Sequence, residues 1–359
     1  MRNLAIQSLR GTLLAALLSV SPFSSAEVGD APDDSKKAPL FASHVPVQAT
    51  IEAPLFTLMK ERPDKDYLGG TFAYVQDDGT EEVLDLKLRT RGNFRRSVDN
   101  CEFTPIRLNF RKKQVDDTLF DGQDKLKLVT HCMDHKPSFE QHVIREYLAY
   151  RILQLLTDKS FGVRLFHINY VDSDRGRQMT KYAFVIEDDD DVAERNGMTP
   201  VKIHETTHYD LDATQDILVN VFQYMIGHTD YSLVRGPPPE GCCHNAVLLS
   251  ATDGPPFTPL PYDFDFSGLV GAPYAVAHPK LRIRNVRERY FRGQCKNIDL
   301  LPETIQQFLD KKESVYAIID ELDMFTNKDR GEVTRYLDAF YEEASQAETI
   351  KNKFLSTCD

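Results

Sequence analysis

The chain has 359 residues, of which 41% are hydrophobic and 27% are charged, and its formal net charge is -12 at pH 7. This composition is typical of a globular protein long enough for one two-lobed domain or two small ones. An acidic chain without a basic block argues against nucleic acid as a partner.

Residues 1–26 have the pattern of a secretory signal peptide. Arg2 and Arg10 precede an apolar stretch from Leu13 to Val20, and small residues at 24–26 offer a cleavage point. The apolar stretch is shorter than the ~20 residues that a membrane-spanning helix needs. We therefore expect an exported protein, periplasmic or extracellular, with no membrane insertion after cleavage. A retained N-terminal anchor is the alternative.

Six cysteines follow this segment, and export into an oxidising compartment favours disulfides. Cys101 and Cys132 bracket strand-like sequence and could join neighbouring strands, while Cys242 or Cys243 could pair with Cys295. Spacing alone does not define the connectivity. A zinc cluster is less favoured because no pair of cysteines has the C-x-x-C spacing.

Residues 27–45 lack periodicity and are rich in Asp, Ser, Pro, Lys and Ala, which indicates a flexible leader. The following sequence predicts strands, because alternating or β-branched runs are separated by turn signals. These runs are Gln48–Ile51, Thr71–Val75, Val83–Leu88 and Ile106–Phe110. We expect a small antiparallel sheet.

A helix is predicted after Pro137, where Ser138 could be the N-cap and Gln141 could close a capping box. Apolar residues then recur at helical spacing, so one side of this helix should be buried. Two strand-like runs follow, Val163–Val171 and Tyr182–Ile186, and they predict a hairpin.

A second amphipathic helix is predicted from near Asp212 to Gly227, where a left-handed cap is least costly for glycine. Two further helices are predicted at Pro302–Leu322 and Glu332–Leu355.

The order of these elements favours an α+β architecture. A β-rich N-lobe with a hinge hairpin would span residues 46–187, and a mainly helical C-lobe with catalytic loops would span residues 188–359. A cleft between two lobes is a natural nucleotide site.

A polar series follows the second amphipathic helix, and it comprises His228-Thr229-Asp230, His244-Asn245 and Asp263-Phe264-Asp265. Acidic and amide oxygens in loops suit a magnesium-dependent phosphoryl-transfer site. Mg²⁺ prefers one or two carboxylates plus waters, which Asp263 and Asp265 could supply. In a strand both would point to one face. The alternative is that these acids only cap turns.

Four segments resemble the spore-coat protein H (CotH-like) kinases over roughly residues 85–270. They are Arg91-Gly92-Asn93, Ile106–Phe110, Arg145–Tyr150 and Pro261–Asp265. The resemblance implies an atypical, secreted protein-kinase-like fold with a β-rich N-lobe over a mainly helical C-lobe. It also implies transfer of the γ-phosphate of ATP, with Mg²⁺ or Mn²⁺, usually to a protein hydroxyl. The sequence leaves open whether the acceptor is a protein, a glycan or a small molecule.

The same resemblance implies roles for individual residues. Asp230 would be the catalytic aspartate that accepts the proton of the attacking hydroxyl, and Asn245 would hold a metal ion. Asp263 would be the metal-binding aspartate of a DFG-like segment in which Asp265 replaces the glycine. Either of these two carboxylates could bind metal first.

Several basic residues could face phosphate. Arg91, Gly92 and Asn93 follow a predicted strand, and the resemblance places this motif in the nucleotide lobe; a hairpin turn with a solvated rim is the alternative. Arg107, Lys125 and Lys127 also lie on or near strand-like sequence, and one of them could be the phosphate-binding cation.

The partner of that cation would be Glu146 on the first helix, or Arg145 could serve in its place. At Asn109 the family often has a lysine. This departure motivates an alternative function, a kinase-like binding domain that has lost catalysis.

Two other motifs have competing interpretations. Five acids at 187–191 favour a solvated run at a helix N-terminus, although Ile186 and Glu187 could form a hinge that meets adenine through backbone groups. The run from His204 to His208 matches the H-E-x-x-H pattern of zinc hydrolases. That chemistry requires a helix, whereas neighbouring β-branched residues favour extended chain or loop.

Overall fold

The computed structural model describes Met1 and residues 37–76 and 78–358. The predicted signal peptide and most of the predicted leader lie outside the described residues. From residue 37 onward, the described residues belong to one compact unit. None of the helices in the described part of the chain has both the length and the apolar character needed to cross a bilayer.

Seven strands form a closed barrel in the order β1-β2-β3-β4-β5-β7-β6. The strands are β1 (Val47–Ala53), β2 (Leu68–Val75), β3 (Glu81–Thr90), β4 (Ile106–Phe110), β5 (Lys125–Val129), β6 (Val163–Asp172) and β7 (Arg177–Ile186). Buried and exposed residues alternate along β1, where Ala49 and Ile51 are buried and Gln48 and Glu52 are exposed. Because successive side chains in a strand point to opposite faces, one face of the strand lies against the shared core.

Aromatic rings fill part of the barrel core. The ring of Phe72 lies edge-on to those of Phe110, Phe120 and Phe166, with centroids 5.3 to 5.9 Å apart. Leu40 and Phe41, which belong to the predicted flexible leader, are buried in the same core. At least this end of the leader therefore packs against the barrel.

The predicted atypical protein-kinase-like fold, a β-rich N-lobe over a mainly helical C-lobe, is wrong. The strands form a closed barrel, because β1 pairs antiparallel with β2 and also parallel with β6. Ile51 lies opposite Phe72 on one side and Tyr170 on the other. Local alternation predicts that each strand exists but does not reveal which edges meet. The closing pair joins two strands that are far apart in the chain.

Nine named α-helices accompany the barrel within the described residues. They are α1 (Leu55–Glu61), α2 (Lys112–Val115), α3 (Pro137–Leu156), α4 (Asp189–Arg195), α5 (Ala213–Ile226), α6 (Leu301–Asp310), α7 (Lys312–Glu321), α8 (Asn327–Ala344) and α9 (Ala347–Leu355). Helix α3 packs against β6, β7 and α7, and most of its residues are buried. The last two predicted helices are each divided into two shorter ones.

The predicted ends of α5 are confirmed. The Asp212 side chain accepts a hydrogen bond from the backbone N–H of Gln215 at 2.8 Å, and Gly227 has a left-handed φ of 66°. The predicted cap of α3 is wrong, because Pro137 occupies the first turn and Ser138 already lies within the helix. Proline suits this position since it has no N–H to satisfy.

The predicted hairpin is confirmed, since β6 and β7 pair antiparallel along their whole length. A second sheet has the order β10-β9-β8, with β8 (Thr199–Val201), β9 (Ala246–Ser250) and β10 (Thr258–Pro261). Both neighbouring pairs in it are antiparallel. Strand β8 precedes α5, whereas β9 begins directly after Asn245 and β10 ends two residues before Asp263.

Three disulfides connect the six cysteines. Cys101 bonds Cys132, as predicted. Cys295 bonds Cys358 at the end of the chain, so the predicted pairing of Cys295 with the 242–243 pair is wrong. The residues at 242 and 243 bond each other and form a vicinal disulfide.

Candidate active site

Asp230 lies in the loop that follows α5. A two-way backbone bridge holds this loop to the segment before β9: the N–H of Ser232 donates to O of His244 at 2.9 Å, and the N–H of His244 donates back at 3.0 Å. His244 Nε2 lies 3.0 Å from Asp230 Oδ1, and Asn245 Nδ2 donates to the backbone O of Asp230 at 2.6 Å. Asp230, His244 and Asn245 therefore form one hydrogen-bonded group.

Burial and charge act in opposite directions on Asp230. Burial alone would raise the pKa of its carboxyl, but the His244 hydrogen bond and the charges of His244, His228 and His278 lower this pKa on balance. The hydrogen bond to Asp230 raises the pKa of His244 above its usual value. Asp230 is therefore ionised at neutral pH beside an imidazole that binds a proton more readily than usual.

Asn245 and Asp263 both have left-handed backbone conformations, with φ of 51° and 63°. Asn245 directly precedes β9, and the N–H of Tyr262, just after β10, donates to its carbonyl at 3.0 Å. Asn and Asp tolerate this conformation better than other side chains, but it still requires support from the surrounding fold. Pairing of β9 with β10 thus brings both residues to the same end of the small sheet.

The Asp263 carboxylate makes no hydrogen bond or ion pair within the described residues, although its N–H donates to the Tyr150 hydroxyl oxygen at 2.8 Å. Likewise, no described group donates to Asn245 Oδ1. A carboxylate and an amide oxygen suit Mg²⁺ or Mn²⁺. The described chain places no group of three or more His, Cys, Asp or Glu side chains so as to hold a metal ion. An ion held by these two oxygens alone would have to complete its coordination with water or phosphate oxygens.

Asp265 belongs to a separate buried cluster with Arg95, Glu146 and Tyr274. Arg95 lies 3.4 Å from the Asp265 carboxylate and 3.8 Å from that of Glu146, and the Tyr274 hydroxyl donates to Asp265 at 3.0 Å. Burial raises the pKa of Asp265 to about 6 and that of Glu146 well above its usual value, while Arg95 opposes both shifts. Glu146 Oε1 has no hydrogen-bond partner.

The expectation that Asp263 and Asp265 share one face of a strand is wrong. Strand β10 ends at Pro261, and the left-handed turn at Asp263 separates the two carboxylates into different surroundings. Asp263 is half-exposed, whereas Asp265 is buried.

Arg91 and Lys127 lie beside Asp263. Together with the rings of Tyr150 and Tyr262 they help to line a cavity of about 10 Å³, which has room for one water molecule. Burial lowers the pKa of both cations, and the Asp263 charge opposes this shift at Arg91. Of the predicted phosphate-binding cations, these two are therefore the ones that adjoin the candidate metal ligand.

The other predicted cations occupy different positions. Arg107 lies opposite Lys127 on the neighbouring strand and approaches Asp188 at 3.6 Å. Lys127 itself lies 3.5 Å from Asp189, and Lys125 is half-exposed next to Asp124. The first turn of α4 thus supplies acids to this basic pair.

On α3, Glu146 is paired with Arg95, whereas Arg145 bonds Asp329 at 2.5 Å and Glu332 at 2.7 Å. Glu146 is therefore the residue of this pair that lies near the candidate site.

Gly92 and Asn93 are exposed in the loop after β3, and their backbone N–H groups donate to no described residue. Gly92 has a φ of 82°, which glycine adopts without strain. Two neighbouring free N–H groups in such a loop can bind an anion.

The acidic run at 187–191 lies at the beginning of α4, with Asp188 as its N-cap. Glu187 is buried: its carboxylate accepts from the N–H of Gly162 at 2.6 Å and from Arg195 Nε at 3.0 Å, and its own N–H donates to Gly162 O at 2.9 Å. The backbone N–H of Glu187, one of the groups that could meet adenine, is thus occupied within the fold.

The H-E-x-x-H run lacks the helix that zinc chemistry would require. His204 and Glu205 lie in irregular chain, and His208 begins a short 3-10 turn that ends at Asp210. The Glu205 carboxylate pairs with Arg235 at 2.8 Å. The two imidazoles are therefore not presented from consecutive turns of a helix.

The sequence predicts no role for His244 or Tyr150, and it groups Arg95 with Arg96 only as guanidinium groups that could meet phosphate oxygens. His244 directly precedes Asn245, so its position in the polar series was a usable signal. Arg95 lies four residues after Arg91, and nothing in its sequence context distinguishes it from an arginine on the protein surface. Tyr150 occupies one position of a helix that is buried on most sides, and nothing in the sequence distinguishes it from its apolar neighbours.

Comparison with known proteins finds no matching protein-family model and no matching curated protein. The chemistry of the site must therefore carry the functional argument.

Proposed function

We propose that this protein is a metal-dependent phosphotransferase that moves the γ-phosphate of ATP to a hydroxyl group. The observation that carries the proposal is the grouping of Asp230, Asn245 and Asp263. It combines an ionised, hydrogen-bonded carboxylate with a second carboxylate that has no partner among the described residues. Phosphoryl transfer requires mainly positioning and charge neutralisation, which such a group can provide.

Asp230 accepts the proton of the attacking hydroxyl. The hydroxyl oxygen forms a bond to the γ-phosphorus as the bond from that phosphorus to the β–γ bridging oxygen breaks, and ADP leaves. The lowered pKa of Asp230 keeps it available as a base at neutral pH. Its Oδ2 is the freer oxygen, because Asn245 approaches it only at 3.3 Å while Oδ1 is bonded to His244.

Asp263 and Asn245 would hold Mg²⁺ or Mn²⁺, which when bound neutralises the charge of the phosphate oxygens. Arg91 and Lys127, beside Asp263, add positive charge on the same side. The cavity among them is too small for a base and ribose, so these parts of ATP would lie outside it.

The proposal is tested by incubating the disulfide-bonded mature chain with labelled ATP and Mg²⁺ or Mn²⁺, followed by mass spectrometry of the products. We expect Asp230→Asn to lower transfer by about 100-fold or more, since it removes the base. Asp253→Asn, at an exposed turn, is the matched control and should leave transfer unchanged. Full transfer in Asp230→Asn would refute the proposed role.

A binding protein that holds nucleotide without transferring phosphate is the second candidate, motivated by Asn109, where the family often has a lysine. Thermal unfolding with Mg²⁺ and ATP separates the two. Mg²⁺ and ATP together should raise the Tm of both wild type and Asp230→Asn. They should raise the Tm of Asp263→Asn less, because this variant lacks a metal ligand. A Tm gain with no labelled product from any acceptor would favour the binding protein.

A further inference from the structure

Residues 278–292 form a basic segment in an acidic chain. Six of these fifteen residues are Lys or Arg and one is Glu, whereas the whole chain has 43 Lys and Arg against 55 Asp and Glu. The interpretation that the chain lacks a basic block overlooked this segment, because its cations are spaced and not contiguous. It is irregular throughout, without helix or strand.

One end of the basic segment lies beside Asp230. Arg292 Nη1 donates to the carbonyl of Thr229 at 2.6 Å and also to that of Tyr231, the two residues that flank Asp230. At the other end, the charges of His278 and Asp230 act on each other. The basic segment is therefore anchored through Arg292 to the loop that carries the candidate base.

Several cations of this segment are exposed, whereas Arg289 and Arg292 donate hydrogen bonds to backbone carbonyls of the fold. Lys280, Arg282 and Arg284 are exposed, and the residues between them are half-buried. Arg284 is paired with Glu288 at 2.5 Å. Neither Lys280 Nζ nor the Arg282 guanidinium has an ion-pair partner in the part of the chain that the structure describes. Two unpaired positive charges are thus exposed on the segment that Arg292 anchors beside Asp230.

We propose that the basic segment is a docking surface for an acidic stretch of protein that carries the acceptor hydroxyl. This inference rests on the proposed phosphotransferase function and names its substrate class. Lys280, Arg282 and Arg284 occur at every second residue, and in an extended peptide every second side chain lies on the same face. Val276, which is 68% exposed just before the segment, gives the surface one apolar side chain that a peptide could contact.

Electrostatic attraction between this loop and acidic side chains should raise the affinity and association rate at low salt. Screening shortens the range of such attraction from about 10 Å at 0.1 M salt to about 3 Å at 1 M. Binding of the acceptor should therefore weaken steeply with salt.

A binding experiment tests the surface without requiring catalysis. The probe is a fluorescent peptide of glutamates around a central alanine, titrated with the full mature chain and followed by fluorescence anisotropy. We expect Lys280→Glu with Arg282→Glu to weaken binding about tenfold or more at low salt, since two surface ion pairs are lost and two repulsions are created. The control variant, Lys113→Glu with Lys351→Glu, has the same charge change at exposed positions elsewhere and should bind as wild type does.

Equal binding by the test and control variants would overturn the proposal. So would tighter binding of an acidic polysaccharide such as polygalacturonate than of the peptide.

A transfer experiment separates this inference from the proposed function. Three peptides with a central serine, flanked by glutamates, by alanines or by lysines, are offered with labelled ATP and metal. We expect the glutamate peptide to be phosphorylated fastest, and the charge-reversed variant to lose this preference while it still modifies the alanine peptide. Equal rates for all three peptides would overturn the docking surface but leave the phosphotransferase standing. If the peptides bind as expected but none is labelled, the phosphotransferase proposal fails and the acid-binding surface remains.

Discussion

Replacement of Arg95 by methionine should destabilise the protein strongly and in a pH-dependent way. The Arg95 side chain is 9% exposed and lies 3.4 Å from Asp265 and 3.8 Å from Glu146, whose side chains are 7% and 2% exposed. Methionine fills similar space but leaves two buried carboxyl groups without their ion-pair partner. Removing one partner of a buried ion pair typically costs 3–5 kcal/mol, so we expect about 4 kcal/mol at pH 8.

The sign of the pH dependence follows from the raised pKa values. Asp265 has a pKa of about 6 in the folded protein against an ordinary 3.8, and the pKa of Glu146 is also raised. Between the unfolded and folded pKa values the folded state binds more protons, so rising pH lowers the stability. Without Arg95 both folded pKa values increase further. The difference between wild type and Arg95→Met should therefore grow as pH rises, by up to about 1.4 kcal/mol per pH unit for each carboxyl group.

The assay is urea unfolding of the mature, disulfide-bonded chain at about pH 5 and about pH 8, with the free energy of unfolding as the readout. Arg96→Met is the matched control, because its ion pair with Asp64 joins side chains that are 31% and 51% exposed. We expect it to cost less than about 1 kcal/mol. Adding Glu146→Gln to Arg95→Met should recover part of the loss. A loss in Arg95→Met that is as small as in the control, or that stays constant with pH, would refute the reasoning.

Two further predictions concern other parts of the fold. Replacing Cys295 and Cys358 by serine opens a loop with a sequence separation of 63 residues and should lower the free energy of unfolding by about 4 kcal/mol, as measured by urea unfolding. The double serine variant of the vicinal disulfide opens almost no loop and should cost far less; an equal loss in both would contradict the chain-entropy argument. His244 has a folded pKa above the usual 6.5 because of its bond to Asp230, so its contribution to stability is complete below pH 6.5 and is lost as pH rises through the folded value. The free energy of unfolding of His244→Gln should therefore fall furthest below that of wild type in mild acid. A loss that increases toward alkaline pH would show that the His244–Asp230 pair does not cause this effect.

The parts of the fold that the sequence predicts correctly are those that depend on neighbouring residues in the chain. Helix α5 has its Asp212 cap and its Gly227 terminus because both depend on residues within a turn or two along the chain. The hairpin of β6 and β7 was likewise visible as two β-branched runs around a turn. The polar series after α5 was identified for the same reason, since it consists of short segments that adjoin predicted elements.

Closure of the barrel could not be predicted in this way. The alternation on β1 is equally compatible with an open sheet edge and with a pairing to β6. Which strands pair depends on the combined packing of the barrel core, and this packing includes α1 and residues near Phe41 that have no strand or helix signal of their own. The two-lobed expectation was wrong because it treated the predicted strands as one small local sheet.

Residue type and position relative to the predicted helix are enough to identify Asp230, Asn245 and Asp263 as candidate site residues, because carboxylate and amide side chains in predicted loops can be read from the sequence. The different surroundings of Asp263 and Asp265 were not visible, although these residues are two positions apart. One carboxylate has no partner within the described residues, and the other is buried against Arg95. Desolvation and Coulomb energy depend on distances between groups that are remote in the chain, so folding alone sets the protonation and exposure of each acid.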